Sequence, residues 1–329
     1  MNPRFPNLPV LGIDVSKLTF DACLLPCDGS KASAHFSNNA EGFAKLGAWL
    51  QQHNAPKVLC GLEATGPYGV ALLWHLHTRS HFTCQLNPRR IKDYARSQGR
   101  RVQTDRTDAA LIASYLNGTE RLQLWEPPAQ ALSELQALVR RRQDLLDALQ
   151  AERNRRAASP KAIIKASVER QIKHLKAEVA SMNQAIEDHL LAHAPLQKSV
   201  RLLRSIDGIG RMVAVTILAE VPGLSAFARA RDLAAFAGLT PCFKISGTSV
   251  RRRGRMSKEG SALLRKMLYM AALQAVKRPS NAFHNTYQAF VARGKAKMCA
   301  IGAIMHKLIR VAFGVLKHQT PFVENFAKI

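Results

Sequence analysis

Four acidic residues stand at positions where a fold can bring them together. Asp14 comes at the end of one short apolar segment, and Glu63 ends another. Asp105 and Asp108 are three residues apart, so they share one face of a helix. Carboxylates packed together repel each other unless cations neutralise them, and hard oxygen ligands suit Mg²⁺ or Mn²⁺. A pair of such ions can activate a nucleophile and stabilise the leaving oxygen in phosphodiester cleavage.

Each of these acids also has a purely structural explanation. Asp105 can cap a helix, and Asp108 can be a first-turn charge that the helix dipole favours. Asp14 and Glu63 can be solvated ends of strands. Their joint placement in a basic chain is what favours a metal site. Two other acids of the same region are interpreted as ordinary surface residues, Asp21 and Asp93.

A candidate nucleophile lies far along the chain, in a segment rich in glycine, serine and arginine. Residues 241–250 read Pro-Cys-Phe-Lys-Ile-Ser-Gly-Thr-Ser-Val, and an arginine cluster follows them. A serine beside glycine in a cationic loop is placed to meet a phosphate. Its hydroxyl can attack phosphorus if a base or a metal activates it. On chemistry alone, turn formation is the favoured role of such Ser, Thr and Gly residues.

A glycine turn stands between two helical segments, at residues 206–210 with the sequence Ile-Asp-Gly-Ile-Gly. This arrangement resembles a helix-hairpin-helix, in which backbone N–H groups at the second helix hold a phosphate. A dinucleotide-binding loop is a weaker alternative, because no strand precedes the turn and the third glycine is missing. A plain turn between helices is the other explanation.

The charge of the chain indicates a polyanionic partner. Its 329 residues include 48 Lys and Arg against 23 Asp and Glu, a net charge of +25, and nucleic acid fits this excess best. A disordered basic tail is excluded, because 47% of the residues are hydrophobic. We assign phosphate contacts to Arg89, Arg90, Lys92, Arg100, Arg101, Arg106, Gly208, Gly210, Lys244, Arg251, Arg252, Arg253, Arg255 and Lys258.

The membrane is the competing polyanion, and the sequence argues against it. We find no uninterrupted apolar run long enough to span a bilayer and no signal-peptide pattern in residues 1–10. The six cysteines form no C-x-x-C pair, which excludes a zinc ribbon and disfavours a disulfide framework. We therefore expect a cytoplasmic protein with no membrane partner, and with cysteines that serve as small buried residues.

The four acids lie in a segment that alternates strands and helices. Helices are expected after the third strand and after each of the last two strands, the last of them at Asp105–Leu116. The order βββαβαβα is that of a ribonuclease H-like fold, in which the first and fourth strands are neighbours. Asp14 and Glu63 would then meet, beneath the acidic face of the last helix. The strands are predicted at Val10–Val15, Phe20–Leu25, Lys31–Ser37, Lys57–Glu63 and His81–Leu86.

The rest of the chain reads as helical. Residues 127–195 have apolar residues at helical spacing, which predicts two long helices. An antiparallel hairpin within one chain and a coiled coil that dimerises fit this pattern about equally well. Residues 199–329 are mostly helical, with a long loop or irregular hairpin at Gly238–Gly260. The predicted seam consists of Leu135, Leu138, Leu145, Leu149, Ile164, Val168, Ile172, Leu175, Val179, Met182, Ile186 and Leu190.

Taken together, these segments resemble the DEDD-type transposases of bacterial insertion sequences, which are bridge-RNA-guided recombinases related to the pilin-gene-inverting recombinases. The resemblance covers nearly the full length, in the right order, and the combination of motifs is specific. The matching segments are Gly12–Lys17, Glu63–Gly66, Asn87-Pro88, the basic stretch 89–101, Thr104–Ala109, Ile206–Gly210 and Gly238–Gly247.

The resemblance implies a RuvC-like catalytic domain at residues 1–125, coiled-coil dimerisation helices at 126–196 and a mostly helical transposase domain at 197–329. It implies an Mg²⁺-binding tetrad of Asp14, Glu63, Asp105 and Asp108. The nucleophilic serine maps best onto Ser246, with Ser249 close enough to leave the register open.

The partners implied by the resemblance are donor and target double-stranded DNA and a structured noncoding guide RNA. Homodimers would assemble to homotetramers. In these assemblies the acids of one subunit would be paired with the serine of another. The protein would act in the bacterial cytoplasm at the nucleoid. The first alternative is a metal-dependent Holliday-junction resolvase or nuclease in which water attacks, and the second is a non-catalytic RNA-binding scaffold.

Overall fold

The structure of the chain is a computed structural model. It describes residues 2, 4–64, 66–99, 105–120, 122–159, 161–221, 223–224, 227–246, 250–279 and 281–323, of which 67, 105–106, 243–246 and 250–253 are described by their backbone alone. The chain divides into two compact units, Met1–Pro127 and Pro128–Ile329. Each unit has its own buried core, and each is described by itself.

The first unit is built on a mixed five-stranded sheet. Strand β1 (Val10–Val15) pairs antiparallel with β2 (Thr19–Leu25) and parallel with β4 (Leu59–Glu63). The edge strands are β3 (Ala32–Ser37) and β5 (Phe82–Leu86), so the order is β3-β2-β1-β4-β5. All five predicted strands are confirmed within two residues at each end. The sheet order and directions are compatible with the predicted ribonuclease H-like fold.

Helices cover both faces of this sheet. They are α1 (Ala40–Gln52), α2 (Val70–Thr78), α3 (Pro88–Ser97) and α4 (Asp105–Gly118), and a short 3₁₀ turn at Pro67–Gly69 precedes α2. Alternate residues of β1 point to opposite faces. Leu11 and Ile13 therefore pack in the core with α1 and α2, whereas Val10 packs in the core with α4.

The sequence predicts no element between the fifth strand and the acidic helix, but α3 occupies most of that interval. Asn87 caps it by accepting a hydrogen bond from the Arg89 N–H at 2.9 Å, and Pro88 stands at its first position. Ile91 is the buried residue of α3, so the helix has only a narrow apolar face. The apolar periodicity of this segment is correspondingly weak.

The second unit is mostly helical, as predicted. Its elements are α5 (Gln130–Ala158), α6 (Ala162–Ala192), α7 (Ala194–Leu203), α8 (Arg211–Glu220), α9 (Ala230–Phe236), β6 (Pro241–Ser246), β7 (Val250–Met256), α10 (Ala262–Lys277), α11 (Ala282–Ala292) and α12 (Lys297–His318). The β6 and β7 strands pair as an antiparallel hairpin, which confirms the irregular hairpin predicted within Gly238–Gly260.

Helices α5 and α6 pack against each other within the chain, which is the first of the two predicted alternatives. Leu145 and Leu149 of α5 meet Ile172 and Leu175 of α6 in a small core of their own. Ile164, expected in the seam, is instead 44% exposed because it lies beyond the last such contact, near the turn between the helices.

The base of this helical hairpin belongs to the core of the second unit. Leu135 and Val139 of α5 and Ile186 and Leu190 of α6 pack with residues of the helices that follow. The predicted boundary at residue 196 therefore falls inside one compact unit, between α6 and the short helix α7. The division into three domains stays a prediction.

Two features concern apolar residues: one long apolar helix lies in a core, and the expectation that all six cysteines are buried is wrong. Helix α12 is long and apolar enough, by length and composition alone, to cross a membrane, but Ile304, Leu308 and Ala312 on it are fully buried in the core of the second unit. This burial is typical of a core helix. Three of the six cysteines are exposed rather than buried: Cys27, Cys242 and Cys299.

Candidate active site

The ends of β1 and β4 place two of the predicted acids side by side. Ile13 is paired with Leu62 in the parallel register, so Asp14 and Glu63 are the next residues of the two strands. Neighbouring residues of paired strands point to the same face. Val10 and Leu59 of these strands pack on the face covered by α4, and the alternation directs Asp14 and Glu63 to that face too.

A glycine lets α4 approach this edge of the sheet very closely. A Cβ atom on Gly12 would lie 2.1 Å from the carbonyl oxygen of Ala109 and 2.3 Å from the backbone nitrogen of Ala113. Any side chain at residue 12 would therefore push the helix away. The close packing holds the first turns of α4, with Asp108, over the strand ends.

The electrostatics of Glu63 report this convergence. Burial raises the pKa of the Glu63 carboxyl, the charges of Asp14 and Asp108 raise it as well, and the charge of Lys92 opposes them, so that the pKa lies at about 7. The charges of carboxylates act on each other in this way only at short range. Asp14 and Asp108 therefore lie near enough to Glu63 for their charges to act on it, and so does Lys92.

The acids offer oxygen donors of the kind that a divalent cation prefers, but those that the structure describes are not closed around a metal position. In the described part of the chain, no three His, Cys, Asp or Glu side chains are grouped closely enough to hold a metal ion as they stand. The backbone of Asp105 begins α4, but its side chain lies outside the described residues. Burial and the neighbouring carboxylates raise the pKa of Glu63 to about 7, and a hard divalent cation would offset both effects on its charged form.

The two acids interpreted as surface residues have partners of their own. Asp21 lies directly opposite Asp14 in the β1–β2 register, but its carboxylate is 3.2 Å from Nδ1 of His35. Asp93 accepts a hydrogen bond from Arg96 on the exposed face of α3, at 3.2 Å. Sequence reasoning did not anticipate that Asp21 would stand so close to the site.

The predicted phosphate contacts next to the acids fall mainly on α3. Arg89, Arg90 and Lys92 are exposed there, and Lys92 is the cation that lowers the pKa of Glu63. The sequence predicts only phosphate binding for Lys92, whereas in the structure its charge also acts on Glu63. Three of the other assigned side chains lie outside the described residues: Arg100, Arg101 and Arg106.

The candidate nucleophile lies in the second unit, on the hairpin of β6 and β7, which we call the serine hairpin (residues 241–256). Ser246 is the last residue of β6 and pairs with Val250, the first of β7. Ser246 is therefore next to the turn of the hairpin. Ser249 and the side chains of Ser246, Lys244, Arg251, Arg252 and Arg253 lie outside the described residues.

The base of the serine hairpin is held firmly against the end of α9. Gly238 has a φ of +71°, and a Cβ there would lie 2.6 Å from the carbonyl oxygen of Glu259. The N–H groups of Ser257 and Lys258 donate to the carbonyl oxygens of Thr240 and Gly238. The conformation of Gly238 and these two backbone hydrogen bonds thus fix the position of the base of the hairpin relative to α9. Two of the assigned cations are exposed here, Arg255 within the hairpin and Lys258 two residues after it.

A buried carboxylate ties the helices behind this hairpin together. Glu220 at the end of α8 accepts hydrogen bonds from Arg140 of α5 at 2.9 Å and from the hydroxyl of Ser261 at 2.7 Å. Ser261 is also the N-cap of α10, since its hydroxyl oxygen accepts from the Leu264 N–H. The helical hairpin and the start of α10 are therefore joined through one acid.

The glycine turn at residues 206–210 lies between α7 and α8, as predicted, and the helix before it excludes the dinucleotide-binding alternative. Gly208 has a φ of +86°, and a Cβ there would lie 2.5 Å from the carbonyl oxygen of Ala271 in α10. Its need for glycine is therefore explained by packing. Gly210 is exposed at the N-terminus of α8, where phosphate binding stays a prediction.

Comparison with known proteins finds matches to both parts of the chain. Residues 11–159 match the model of the IS110-type DEDD transposases, and residues 200–288 match that of the transposase IS116/IS110/IS902 family. The pilin gene-inverting protein of Moraxella bovis is 31% identical over 314 residues, which cover 95% of this chain and 97% of that protein. The chain belongs to the IS110 transposase family.

Other relatives include the pilin gene-inverting protein of Moraxella lacunata, also 31% identical over 314 residues. The transposase for insertion sequence element IS1111A of Coxiella burnetii is 28% identical over 162 residues, 47% of this chain and 44% of that protein. The first family match spans the four predicted acids of this IS110 transposase, and the second spans Ser246. Membership of the family implies that the transposase cleaves and rejoins DNA.

Proposed function

We propose that this IS110 transposase exchanges strands between donor and target DNA through a covalent phosphoserine link at Ser246. Asp14, Glu63, Asp105 and Asp108, which we call the acid site, would hold Mg²⁺ or Mn²⁺ against the scissile phosphate. The observation that carries the proposal is the convergence of Asp14, Glu63 and Asp108, which is expressed in the raised pKa of Glu63.

The proposed step conserves the energy of the phosphodiester bond. The Ser246 oxygen bonds to phosphorus while the bond from phosphorus to the leaving deoxyribose oxygen breaks, and the serine proton passes to a basic oxygen nearby. Attack by a deoxyribose hydroxyl of the other duplex then reverses these changes and frees the serine. A divalent cation would supply charge neutralisation and would favour ionisation of the attacking hydroxyl.

The residues around the acid site have definite parts in this proposal. Asp14, Glu63 and Asp108 bring negative charge to one face of the sheet, while Lys92 approaches it from the exposed side of α3. A phosphate that enters the site can therefore be bound by Lys92 and by the cations held on the carboxylates. The exposed Arg89 and Arg90 would hold the adjoining DNA backbone.

We further propose that a structured noncoding RNA guides the transposase to its target. The proposal rests on the resemblance of the whole chain to bridge-RNA-guided recombinases and on the net charge of +25, which suits more than one polyanion. Base pairing would then choose the sequence, as in other RNA-guided systems. The active assembly would be a homodimer that forms a homotetramer on DNA.

Covalent trapping tests the serine and the acids in one experiment. The transposase, its element's RNA and end-labelled DNA of the element terminus are incubated with Mg²⁺ and resolved under denaturing conditions. The wild type should give a protein–DNA adduct, and Ser246→Ala should give none while still binding RNA. Ser249→Ala is the matched control and should retain the adduct. Asp14→Asn should bind DNA but lose Mg²⁺-dependent cleavage.

Each alternative has its own outcome in this assay. An adduct that persists in Ser246→Ala but not in Ser249→Ala would move the nucleophile to Ser249. Cleavage by wild type without any adduct would identify a resolvase or nuclease in which water attacks. Unchanged cleavage by Asp14→Asn would refute the metal site, and nucleic-acid binding without cleavage at any Mg²⁺ concentration would identify a binding scaffold.

A further inference from the structure

The cations of the helical hairpin are concentrated at its far end. Residues 153–165, which we call the hairpin tip, contain five Lys and Arg and no Asp or Glu. The rest of the two helices, which we call the shaft, has three cations and four acids in residues 128–152 and the same numbers in residues 166–193. The tip is therefore strongly positive, whereas each part of the shaft is slightly negative.

The charged side chains of the tip face solvent. Arg153, Arg156, Lys161 and Lys165 are exposed, and none of the four makes an ion pair with another described residue. Arg155 alone is paired, with Glu152 one turn back. Like charges that gather without counter-ions on one surface repel each other, so an arrangement of this kind is stabilised by an anionic partner.

The tip also stands well away from the core of the second unit. Val139 and Ile186 are the last hairpin residues in that core, and α5 runs on from Val139 to Ala158. At 1.5 Å per residue this part of the helix is about 30 Å long, close to one turn of B-DNA. The charge at the tip is thus carried beyond that core, and beyond the ion pair that joins Asp147 of α5 to Lys266 of α10.

We propose that the hairpin tip binds the phosphate backbone of double-stranded DNA, outside the acid site and the serine hairpin. DNA is the polyanion that membership of the transposase family establishes as a substrate. A second copy of the tip is a poor binding partner, because its five cations would repel the five cations of the first copy. Contacts made by exposed Arg and Lys side chains to phosphates give affinity without sequence preference.

The salt dependence of DNA binding measures these contacts directly. The full-length triple variant Arg156→Gln, Lys161→Gln, Lys165→Gln is compared with the shaft variant Arg141→Gln, Lys173→Gln, Lys176→Gln. Both remove one exposed Arg and two exposed Lys, so they change the net charge equally. The probe is a linear duplex of random sequence, and binding is followed by fluorescence anisotropy over a series of salt concentrations.

We expect the tip variant to reduce the slope of log affinity against log salt by about 2 to 3, since each lost phosphate contact contributes about 0.9. The shaft variant should keep the wild-type slope to within about one contact. Equal losses in the two variants would overturn the proposal, because they would reflect net charge alone. So would an effect on duplex RNA with none on DNA, or a changed molecular mass in solution with an unchanged DNA slope. The melting temperature of each variant checks its folding.

Discussion

Glu63 is the residue on which the surroundings of the acid site act most strongly. Burial, Asp14 and Asp108 together raise the pKa of its carboxyl from 4.5 to about 7. The folded protein therefore holds a proton on Glu63 at pH values where the unfolded chain has released it. The free energy of unfolding therefore falls as pH rises from about 4.5 through 7, because the folded protein must then ionise Glu63 in an unfavourable environment. Above that range the loss of stability is complete.

Replacing Glu63 by Gln should remove this loss. In EDTA, Glu63→Gln should raise the free energy of unfolding by about 1 to 2 kcal/mol at pH 8, with allowance for solvent screening of a partly exposed group, and leave it unchanged near pH 4. Urea unfolding at the two pH values measures the difference. Mg²⁺ should stabilise the wild type at pH 8 and have less effect on the variant.

Glu41→Gln is a matched control for this change. Glu41 is exposed on α1, and its hydrogen bond to Lys45 lowers its pKa, so its removal gives no gain at pH 8. A gain for Glu63→Gln that is the same at pH 4 and pH 8 would contradict the prediction, because it would have no link to the ionisation of the carboxyl.

At the scale of elements, the distance between α4 and β1 determines the geometry of the acid site. Gly12→Ala would place a methyl group within 2.1 Å of the Ala109 carbonyl oxygen, so the helix must shift and carry Asp108 away from Glu63. We expect a cost of about 1 to 3 kcal/mol in folding stability. DNA cleavage should fall, on the order of 10- to 100-fold.

The concentration of Mg²⁺ that gives half-maximal cleavage separates a displaced site from partial unfolding. It should rise in Gly12→Ala, whereas loss of folded protein would lower the maximum and leave this concentration unchanged. Gly118→Ala is the control, because it makes the same change at the end of α4, where a Cβ meets nothing within 4 Å. Wild-type cleavage by Gly12→Ala would show that the close approach is not needed.

These elements differ in how far their sequences predict them. The strands around Asp14 and Glu63 were predictable because their apolar runs are buried on both faces and end at a carboxylate. The α4 helix was predictable from its apolar face. Helix α3 was missed because only Ile91 on it is buried, although Asn87 and Pro88 were available as a start signal. Ile164 satisfied the heptad spacing without a partner, which periodicity alone cannot reveal.

The roles of single residues were less predictable than the elements. The sequence indicated that the acids would converge, but not that Lys92 would reach them, because that depends on the unpredicted α3. Gly12 belongs to one of the segments that resemble the family. The reason for a glycine at this position, however, is the close approach of Ala109, almost a hundred residues away. Contacts between distant segments of this kind follow from the packing of the fold rather than from local spacing.

At the scale of the whole molecule, charge and chemistry are divided between the two units. The residues 128–329 contain 34 Lys and Arg against 13 Asp and Glu, while residues 1–127 contain 14 against 10. Most of the cationic excess thus belongs to the unit that carries Ser246 and the hairpin tip, and the unit with the acid site is nearly balanced. This division suits a protein in which one unit grips nucleic acid and the other carries out metal-dependent chemistry.

The same division makes the proposed pairing of subunits testable by mixing two inactive proteins. Asp14→Asn retains Ser246, and Ser246→Ala retains the acid site. If the acids of one subunit act with the serine of the other, a mixed dimer contains one site with both defects and one site that is intact. Equal mixing before assembly on DNA should then restore the covalent adduct to about a quarter of the wild-type yield, for random dimer formation.

A site formed within a single chain gives a different result. Every site in the mixture would then carry one defect, and the adduct would stay at the level of the separate variants. The double variant Asp14→Asn, Ser246→Ala mixed equally with wild type tests the same arrangement in the opposite direction. Sites shared between chains would leave about a quarter of the wild-type yield, because a mixed dimer then holds no intact site, whereas sites within one chain would leave about a half. Recovery in the first mixture, together with a yield of about a quarter in the second, would place the acid site and the serine of each reaction on different chains.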